Sequence, residues 1–159
     1  MTSLYIGDGP LERFLIDQLF NKLEVNKALR LSLLVDFNRG HRGKNHTSMS
    51  LTMPLKANFM PNHKVRIGFY KQPHSMNINA LPGLQEARGV QHMKICIFDD
   101  HVLLTGSNLS DSYFTDREDR WILFKNSPEL ADYCDDLANS MIDLSMQLDD
   151  EGRLIVFSI

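Results

Sequence analysis

A histidine and a lysine stand two residues apart in the apolar run 90–98, at His92 and Lys94. Along a β-strand, residues i and i+2 point to the same face, so these two side chains are expected to be neighbours. A neutral imidazole is a good nucleophile near neutral pH, and an ammonium group stabilises the charge that develops when a phosphate is attacked. Because a buried, unpartnered lysine is costly, the pair predicts either an anion-binding catalytic site or strand-end side chains that reach solvent or an acid such as Asp99.

The segments on either side of this pair alternate between helical and extended patterns, which predicts an α/β layered fold. Apolar spacing and cap signals predict helices that begin at Pro10, near Thr47 and at Ser127–Pro128. Strands are predicted over residues 29–37, 63–71, 90–98, 101–105, 120–124 and 153–159. Asp99 and Asp100 form the tight turn of a hairpin between two of these strands. The last helix is expected to bury Leu130, Cys134, Leu137, Met141, Leu144 and Leu148.

The whole chain, residues 1–159, is expected to form one domain, because its length and its hydrophobic content of 43% suffice for one core. The formal net charge of -3 gives no general attraction to nucleic acid or to an anionic membrane, so a phosphate site must be a local basic cluster. Two scattered cysteines, Cys96 and Cys134, predict neither a disulfide framework nor a zinc site. We find no apolar run of the ~20 residues that a membrane span needs and no signal-peptide or transit-peptide pattern.

The pattern around the histidine extends well beyond the pair. His92-x-Lys94, four further residues, Asp99 and a hairpin leading to residues 106–108 (Gly-Ser-Asn) resemble the HKD motif of the phospholipase D superfamily. The usual spacing from the aspartate to the asparagine segment is one residue longer, so Thr105 takes the place of a first glycine here. The resemblance implies a phospholipase D-like half with a mixed β-sheet flanked by helices.

The resemblance implies a role for each residue of the motif. His92 attacks a phosphodiester phosphorus, while Lys94 and Asn108 hold its non-bridging oxygens, so that neither a metal nor another cofactor is needed. Asp99 belongs to the motif, but a structural role in the hairpin turn stands beside a catalytic one. For Asp119, acceptance of the imidazole N–H, as in a catalytic triad, and a salt bridge with a neighbouring arginine are both open.

Basic and hydroxyl side chains near the motif are candidates for binding the phosphates of the substrates. Arg39 and Arg42 stand in the loop 38–48 after a buried strand, where α/β proteins often place ligands. They either bind a phosphate group or are solvated. Ser110 suits the N-cap of a helix close to the site, where free N–H groups would meet phosphate. Ser107 is a further candidate, although the altered spacing leaves its role open.

A longer resemblance narrows the family. Residues 89–124, and with them residues 3–12 and 33–43, are similar to eukaryotic phosphatidylglycerophosphate synthases, a mitochondrial branch of the superfamily. The similarity runs over nearly the whole chain, but it corresponds to the first half of a family that has two HKD motifs. None of the other histidines begins a second His-x-Lys with a correctly spaced aspartate.

This resemblance implies transfer of a phosphatidyl group from CDP-diacylglycerol to sn-glycerol 3-phosphate, which forms phosphatidylglycerophosphate and CMP through a phosphohistidine at His92. It also implies a peripheral protein at a mitochondrial membrane surface, in phosphatidylglycerol and cardiolipin biosynthesis. A second HKD half, or a second copy, would supply the acid and base that this chain lacks. Two alternatives stay open: a single-motif homodimeric phosphodiesterase acting on a phospholipid or nucleic acid, and a non-catalytic half-domain.

Overall fold

A computed structural model describes residues 1–41, 47–59, 64–72, 89–148 and 153–155. In chain order its elements are β1 (Thr2–Ser3), α1 (Pro10–Val25), β2 (Leu31–Asp36), α2 (Phe37–Gly40), α3 (Thr47–Phe59), β3 (Val65–Tyr70), β4 (Ile95–Phe98), β5 (His101–Thr105), α4 (Asp111–Thr115), β6 (Trp121–Phe124), α5 (Pro128–Asp143), β7 (Met146–Leu148) and β8 (Leu154–Ile155). The α/β fold with a mixed sheet and flanking helices that the sequence predicts is confirmed.

The larger sheet has the strand order β1-β2-β3-β7-β8. Its first three strands are parallel, and β7 and β8 complete it in antiparallel orientation. The pairing of β2 with β3 runs from Leu31 opposite Val65 to Asp36 opposite Tyr70, so both strands end at the same edge of the sheet. Nearly every residue of β2 is buried, as expected for a parallel strand with helices on both faces.

The smaller sheet, β4-β5-β6, is antiparallel and contains the predicted hairpin. Phe98 pairs with His101 across a two-residue turn, in which Asp99 has a positive φ of 50°. Aspartate tolerates this left-handed conformation better than most residues, because its short side chain can bond locally.

The prediction that a strand runs over the whole of 90–98 is wrong at its beginning, because β4 starts only at Ile95. The ladder ends with the bond from the backbone N–H of Thr105 to the carbonyl of Lys94, at 3.2 Å. The backbone N–H of Gln91 donates instead to the carboxylate of Asp36, at 3.0 Å. The segment that carries the histidine is therefore held by the larger sheet rather than by a neighbouring strand.

Side chains of the short strand β1, which the sequence pattern did not reveal, join the two sheets. Thr2 Oγ1 accepts the backbone N–H of Ile95 at 3.0 Å, and Ser3 Oγ accepts that of Leu109 at 3.2 Å. The N–H of Gly7 donates to the carbonyl of Leu109 at 2.8 Å, next to a parallel bridge between Ile6 and Leu109. Each of these bonds satisfies a backbone group that no strand partner reaches.

Helices cover both faces of the larger sheet. The main core lies between α1, α3 and the sheet, and its buried members include Leu23, Leu33, Leu55, Ile67 and Phe69. On the other side, α5 packs across β2 and β3 and reaches β4 and β5 of the smaller sheet. Pro10 occupies the first turn of α1 after the N-cap Gly9, as predicted.

The predicted apolar face of the last helix is partly wrong. The residues of α5 that are buried are Ala131, Cys134, Ala138 and Ile142. Leu144 lies beyond the end of the helix and is exposed, and Leu148 belongs to β7. The helix therefore faces the sheet with two alanines, a cysteine and an isoleucine rather than with its leucines.

We expect Phe69→Ala to lower the free energy of unfolding by about 3–5 kcal/mol, because its ring is 0% exposed in the main core. Denaturation in urea measures the loss. Phe14, which is 61% exposed on α1, offers a matched control, and Phe14→Ala should change stability by less than about 0.5 kcal/mol. Equal losses in the two variants would contradict the described core.

Candidate active site

The structure places His92 and Lys94 where the chain enters the hairpin. The ammonium Nζ of Lys94 donates to the backbone carbonyl of His92 at 2.9 Å, so the lysine side chain turns back toward the histidine. Lys94 is only 6% exposed, whereas the side chain of His92 is exposed. A buried cation thus lies against the backbone of His92, whose side chain is accessible.

The electrostatics of this pair favour a neutral imidazole. Desolvation by burial is the largest cause that lowers the pKa of His92 below its ordinary value, and the positive charges of Lys94 and Arg39 lower it further. The negative charge of Asp36 acts in the opposite direction. Burial also lowers the pKa of Lys94, while the charge of Asp119 raises it. A neutral imidazole has a free nitrogen lone pair, which is the form that attacks an electrophile.

The loop after β5 presents buried polar atoms beside this pair. Ser107 and Asn108 are both buried, and neither Ser107 Oγ nor Asn108 Oδ1 has a hydrogen-bond partner within the described parts of the chain. The backbone N–H of Ser107 donates to Thr105 Oγ1 at 3.0 Å, so the residue in place of the motif's first glycine shapes the turn. Since buried polar groups are nearly always hydrogen-bonded, these two atoms are available to a ligand.

Ser110 is the N-cap residue of α4, but its hydroxyl makes no capping bond and lies 3.2 Å from Ser112 Oγ. The backbone N–H of Asp111 donates to Glu12 Oε1 at 2.5 Å. One N–H of this helix end is therefore already bonded to a carboxylate. The binding of a phosphate at Ser110 stays a prediction.

Sequence reasoning missed Glu12, a buried carboxylate in the first turn of α1. Its bond to Asp111 ties the loop that carries Asn108 to the first helix. A Cβ on Gly7 would lie 2.1 Å from Glu12 Oε1, and one on Gly9 would lie 2.7 Å from Oε2. The two glycines before the helix were therefore the available signal, because they mark a close approach of backbone to another group.

Of the two candidate arginines, Arg39 lies in α2, directly after β2, and its guanidinium carbon is 5.3 Å from the centroid of the Tyr5 ring. Its charge acts on His92, which places it at the same edge of the fold as the histidine. Arg42 lies outside the described residues.

Asp119 bonds to backbone. Its Oδ1 accepts the N–H of Gly106 at 3.2 Å and the N–H of Arg120 at 2.6 Å. A Cβ on Gly106 would lie 2.7 Å from the same oxygen, so the glycine permits this close contact. The carboxylate thereby holds the start of the asparagine loop and acts electrostatically on Lys94.

Asp99 lies at the opposite end of β4 from Lys94, roughly 16 Å away at about 3.3 Å per residue. It lines a cleft of about 650 Å³ together with Asp100, Asp132 and Asp135. This acidic cleft is unsuited to an anionic phosphate. The position of Asp99 fits a turn residue.

Two further features of the described residues concern ligands and membranes. In these parts of the chain, no three His, Cys, Asp or Glu side chains lie close enough together to hold a metal ion. The helices found there include none with the length and apolar character required to cross a bilayer.

Comparison with known sequences finds close relatives. The chain is 39% identical, over 166 aligned positions, to the mitochondrial CDP-diacylglycerol–glycerol-3-phosphate 3-phosphatidyltransferase of Bos taurus. The match covers 98% of this chain and 29% of that protein. It is 38% identical to the human protein of the same name, with the same coverage. It is 39% identical to the corresponding protein of Saccharomyces pastorianus over 137 positions, covering 84% of this chain and 26% of that one. No family model matches the chain.

Comparison with solved structures identifies the fold. The phosphatidylserine synthase of Haemophilus influenzae superposes with a TM-score of 0.67 at 18% identity, over 99% of this chain and 40% of that one. The phospholipase D family member Nuc of Salmonella typhimurium superposes with a TM-score of 0.61 at 16% identity, over 92% of this chain and 78% of that one.

The chain spans about three tenths of the length of the bovine and human proteins, and almost all of its own length takes part in the match. Its two sheets and its helices form the fold that these solved structures share. The chain is therefore a relative of the CDP-diacylglycerol–glycerol-3-phosphate 3-phosphatidyltransferases and has the fold of the phospholipase D superfamily.

Proposed function

We propose that this chain contributes the nucleophilic half of a phosphatidyltransferase site. The reaction transfers a phosphatidyl group from CDP-diacylglycerol to sn-glycerol 3-phosphate and releases CMP. The observation that carries the proposal is the accessible imidazole of His92, kept neutral above the buried ammonium group of Lys94. The names of the relatives supply the substrates, since those proteins act on CDP-diacylglycerol and glycerol 3-phosphate.

In the first step, a ring nitrogen of His92 attacks the phosphorus that bears the diacylglycerol. A P–N bond forms, and the P–O bond to CMP breaks with its electron pair on the departing oxygen. Lys94 and the Asn108 amide face the non-bridging oxygens, where negative charge develops. Asn108 reaches them as a donor when its amide is rotated by 180°, which exchanges Oδ1 for Nδ2.

In the second step, the acceptor hydroxyl of glycerol 3-phosphate loses its proton, attacks the phosphorus and breaks the P–N bond. The released histidine regains its lone pair. Arg39, at the same edge as His92, is suited to hold the phosphate of the acceptor or of the cytidine diphosphate group. The same role for Arg42 is part of the proposal.

A complete cycle also needs a group that protonates CMP and deprotonates the acceptor. This sequence has a single His-x-Lys motif with the required spacing, at His92 and Lys94. We therefore include a second phospholipase D-like half in the proposal, with residues 1–159 forming the first half. A mitochondrial location and peripheral contact with the membrane follow from the names of the relatives and from the lipid substrate.

The surface that this second half covers is part of the proposal. All four residues of β6 are apolar and exposed, from Trp121 to Phe124. In the strand register, Thr105 stands opposite both Lys94 and Trp121, and Leu103 stands opposite Leu123. Since paired residues point to the same face, Trp121 and Leu123 extend the face that carries Lys94. An apolar surface thus adjoins the candidate site, which is where a second half must pack to reach the same phosphate.

The covalent step is tested by intact mass spectrometry after incubation with CDP-diacylglycerol in detergent micelles. We expect wild-type protein to gain the mass of one phosphatidyl group and His92→Ala to gain none. His101→Ala, at the hairpin turn, is the matched control and should still form the adduct. Because CMP departs as a phosphate anion that takes its proton from water when the second half is absent, the adduct should still form, only more slowly. An adduct in His92→Ala, or none in the wild type, would contradict the proposed route.

The pH dependence of His92 is tested with Lys94→Met. Removing this cation takes away one cause of the lowered pKa, so the pKa of His92 should rise. The neutral fraction then falls at a given pH, and the acid limb of the activity moves to higher pH. NMR titration of the imidazole measures the shift without relying on activity. Arg120→Met removes an exposed cation as the control, and a fall of the His92 pKa in Lys94→Met would overturn this electrostatic account.

The packing surface is tested by comparing two leucines, Leu123 at 47% and Leu144 at 61% exposure. If a second copy of the chain serves as the second half, sedimentation velocity should show a dimer. Leu123→Asp should then weaken the dimer at least roughly tenfold, because a charge would be buried, whereas Leu144→Asp should not. A wild-type chain that stays monomeric at all concentrations would exclude the homodimeric phosphodiesterase.

A further inference from the structure

Asp36 is a buried acid that sequence reasoning did not single out. It ends β2, is 2% exposed and accepts two backbone N–H groups through its two carboxylate oxygens. Oδ1 accepts the N–H of Arg39 at 2.9 Å, and Oδ2 accepts the N–H of Gln91 at 3.0 Å. The second bond crosses 55 residues of sequence and ends on the residue directly before His92.

One carboxylate therefore joins the segment that carries Arg39 to the segment that carries the nucleophile. The first bond is an N-cap of α2, a common role for aspartate. The second bond is less common, because Asp36 accepts a backbone N–H from a segment that lies before the start of β4. An asparagine could not make both bonds, since its amide NH2 would face one of the two N–H donors.

Two acids near the site, Asp36 and Asp119, act on different groups. Among the residues that the structure describes, those whose charges act on the imidazole are the cations Lys94 and Arg39 and the anion Asp36. Asp119, which the sequence offered as the partner of the imidazole, bonds to backbone N–H groups and acts on Lys94 instead. Asp36 is thus the carboxylate whose charge raises the pKa of His92.

We propose that Asp36 is the positioning residue of the nucleophile: it holds the backbone at Gln91 and Arg39 and places a negative charge beside His92. This inference rests on the proposed function. When a neutral imidazole attacks phosphorus, the ring becomes cationic until its N–H proton is lost or the phosphorus is displaced. A fixed carboxylate stabilises that cation, as the aspartate of a catalytic triad does.

The test compares Asp36→Asn with Asp119→Asn by NMR and by kinetics. In Asp36→Asn we expect the pKa of His92 to fall, because the raising charge is gone, and the amide resonance of Gln91 to shift. The rate kcat should fall roughly 10- to 100-fold through displacement of the nucleophile, with a smaller change in KM. In Asp119→Asn the pKa of His92 should stay where it is in the wild type.

Asp36→Ser serves as a second variant. A serine keeps an N-cap acceptor for Arg39 but is too short to reach Gln91 as well. If the pKa of His92 and the Gln91 resonance are unchanged in variants that fold, Asp36 does not position the nucleophile. If urea denaturation shows that neither variant has a folded state, Asp36 is required for stability and the inference is overturned. These NMR readouts need no turnover, so they stand apart from the His92→Ala adduct test, whose failure would overturn the proposed function itself.

Discussion

The burial of one ammonium group organises the candidate site. Removing Lys94 from water is unfavourable, and the surrounding protein offsets this cost with the carbonyl of His92 and the negative charge of Asp119. In return, a charge in a poorly hydrated environment acts strongly on its neighbours. The charge of Lys94 adds to desolvation in lowering the pKa of His92, so one buried cation and its surroundings set the electrostatics of the candidate site.

That arrangement depends on a junction between two sheets where the regular ladders stop. The backbone around His92 and Asn108 is held by side chains from distant segments: Thr2 and Ser3 of β1, Glu12 of α1 and Asp36 of β2. Hydrogen bonds from buried side chains fix loops more firmly than solvent-exposed turns do. The backbone of the candidate site is therefore anchored in the core of the fold, although the imidazole of His92 is accessible.

The described residues also contain a surface that the fold leaves uncovered. Helix α5 packs against β4 and β5, while every residue of the edge strand β6 is exposed. An apolar edge strand of this kind is a liability for an isolated domain. It fits a chain that spans about three tenths of the length of its relatives.

Local patterns in the sequence indicated the His92–Lys94 pair as a candidate site and predicted the hairpin turn at Asp99–Asp100, the start of α1 at Pro10 and the α/β class, because each depends on residues that are neighbours along the chain. Only the tertiary structure decided which distant segment each buried acid holds through a hydrogen bond. Asp36 reaches Gln91 across 55 residues and Glu12 reaches Asp111 across 99, and no periodicity records such a contact. The buried face of α5 was misjudged for a related reason. Apolar spacing shows which side of a helix is hydrophobic, but which of its residues are buried depends on the sheet that it meets.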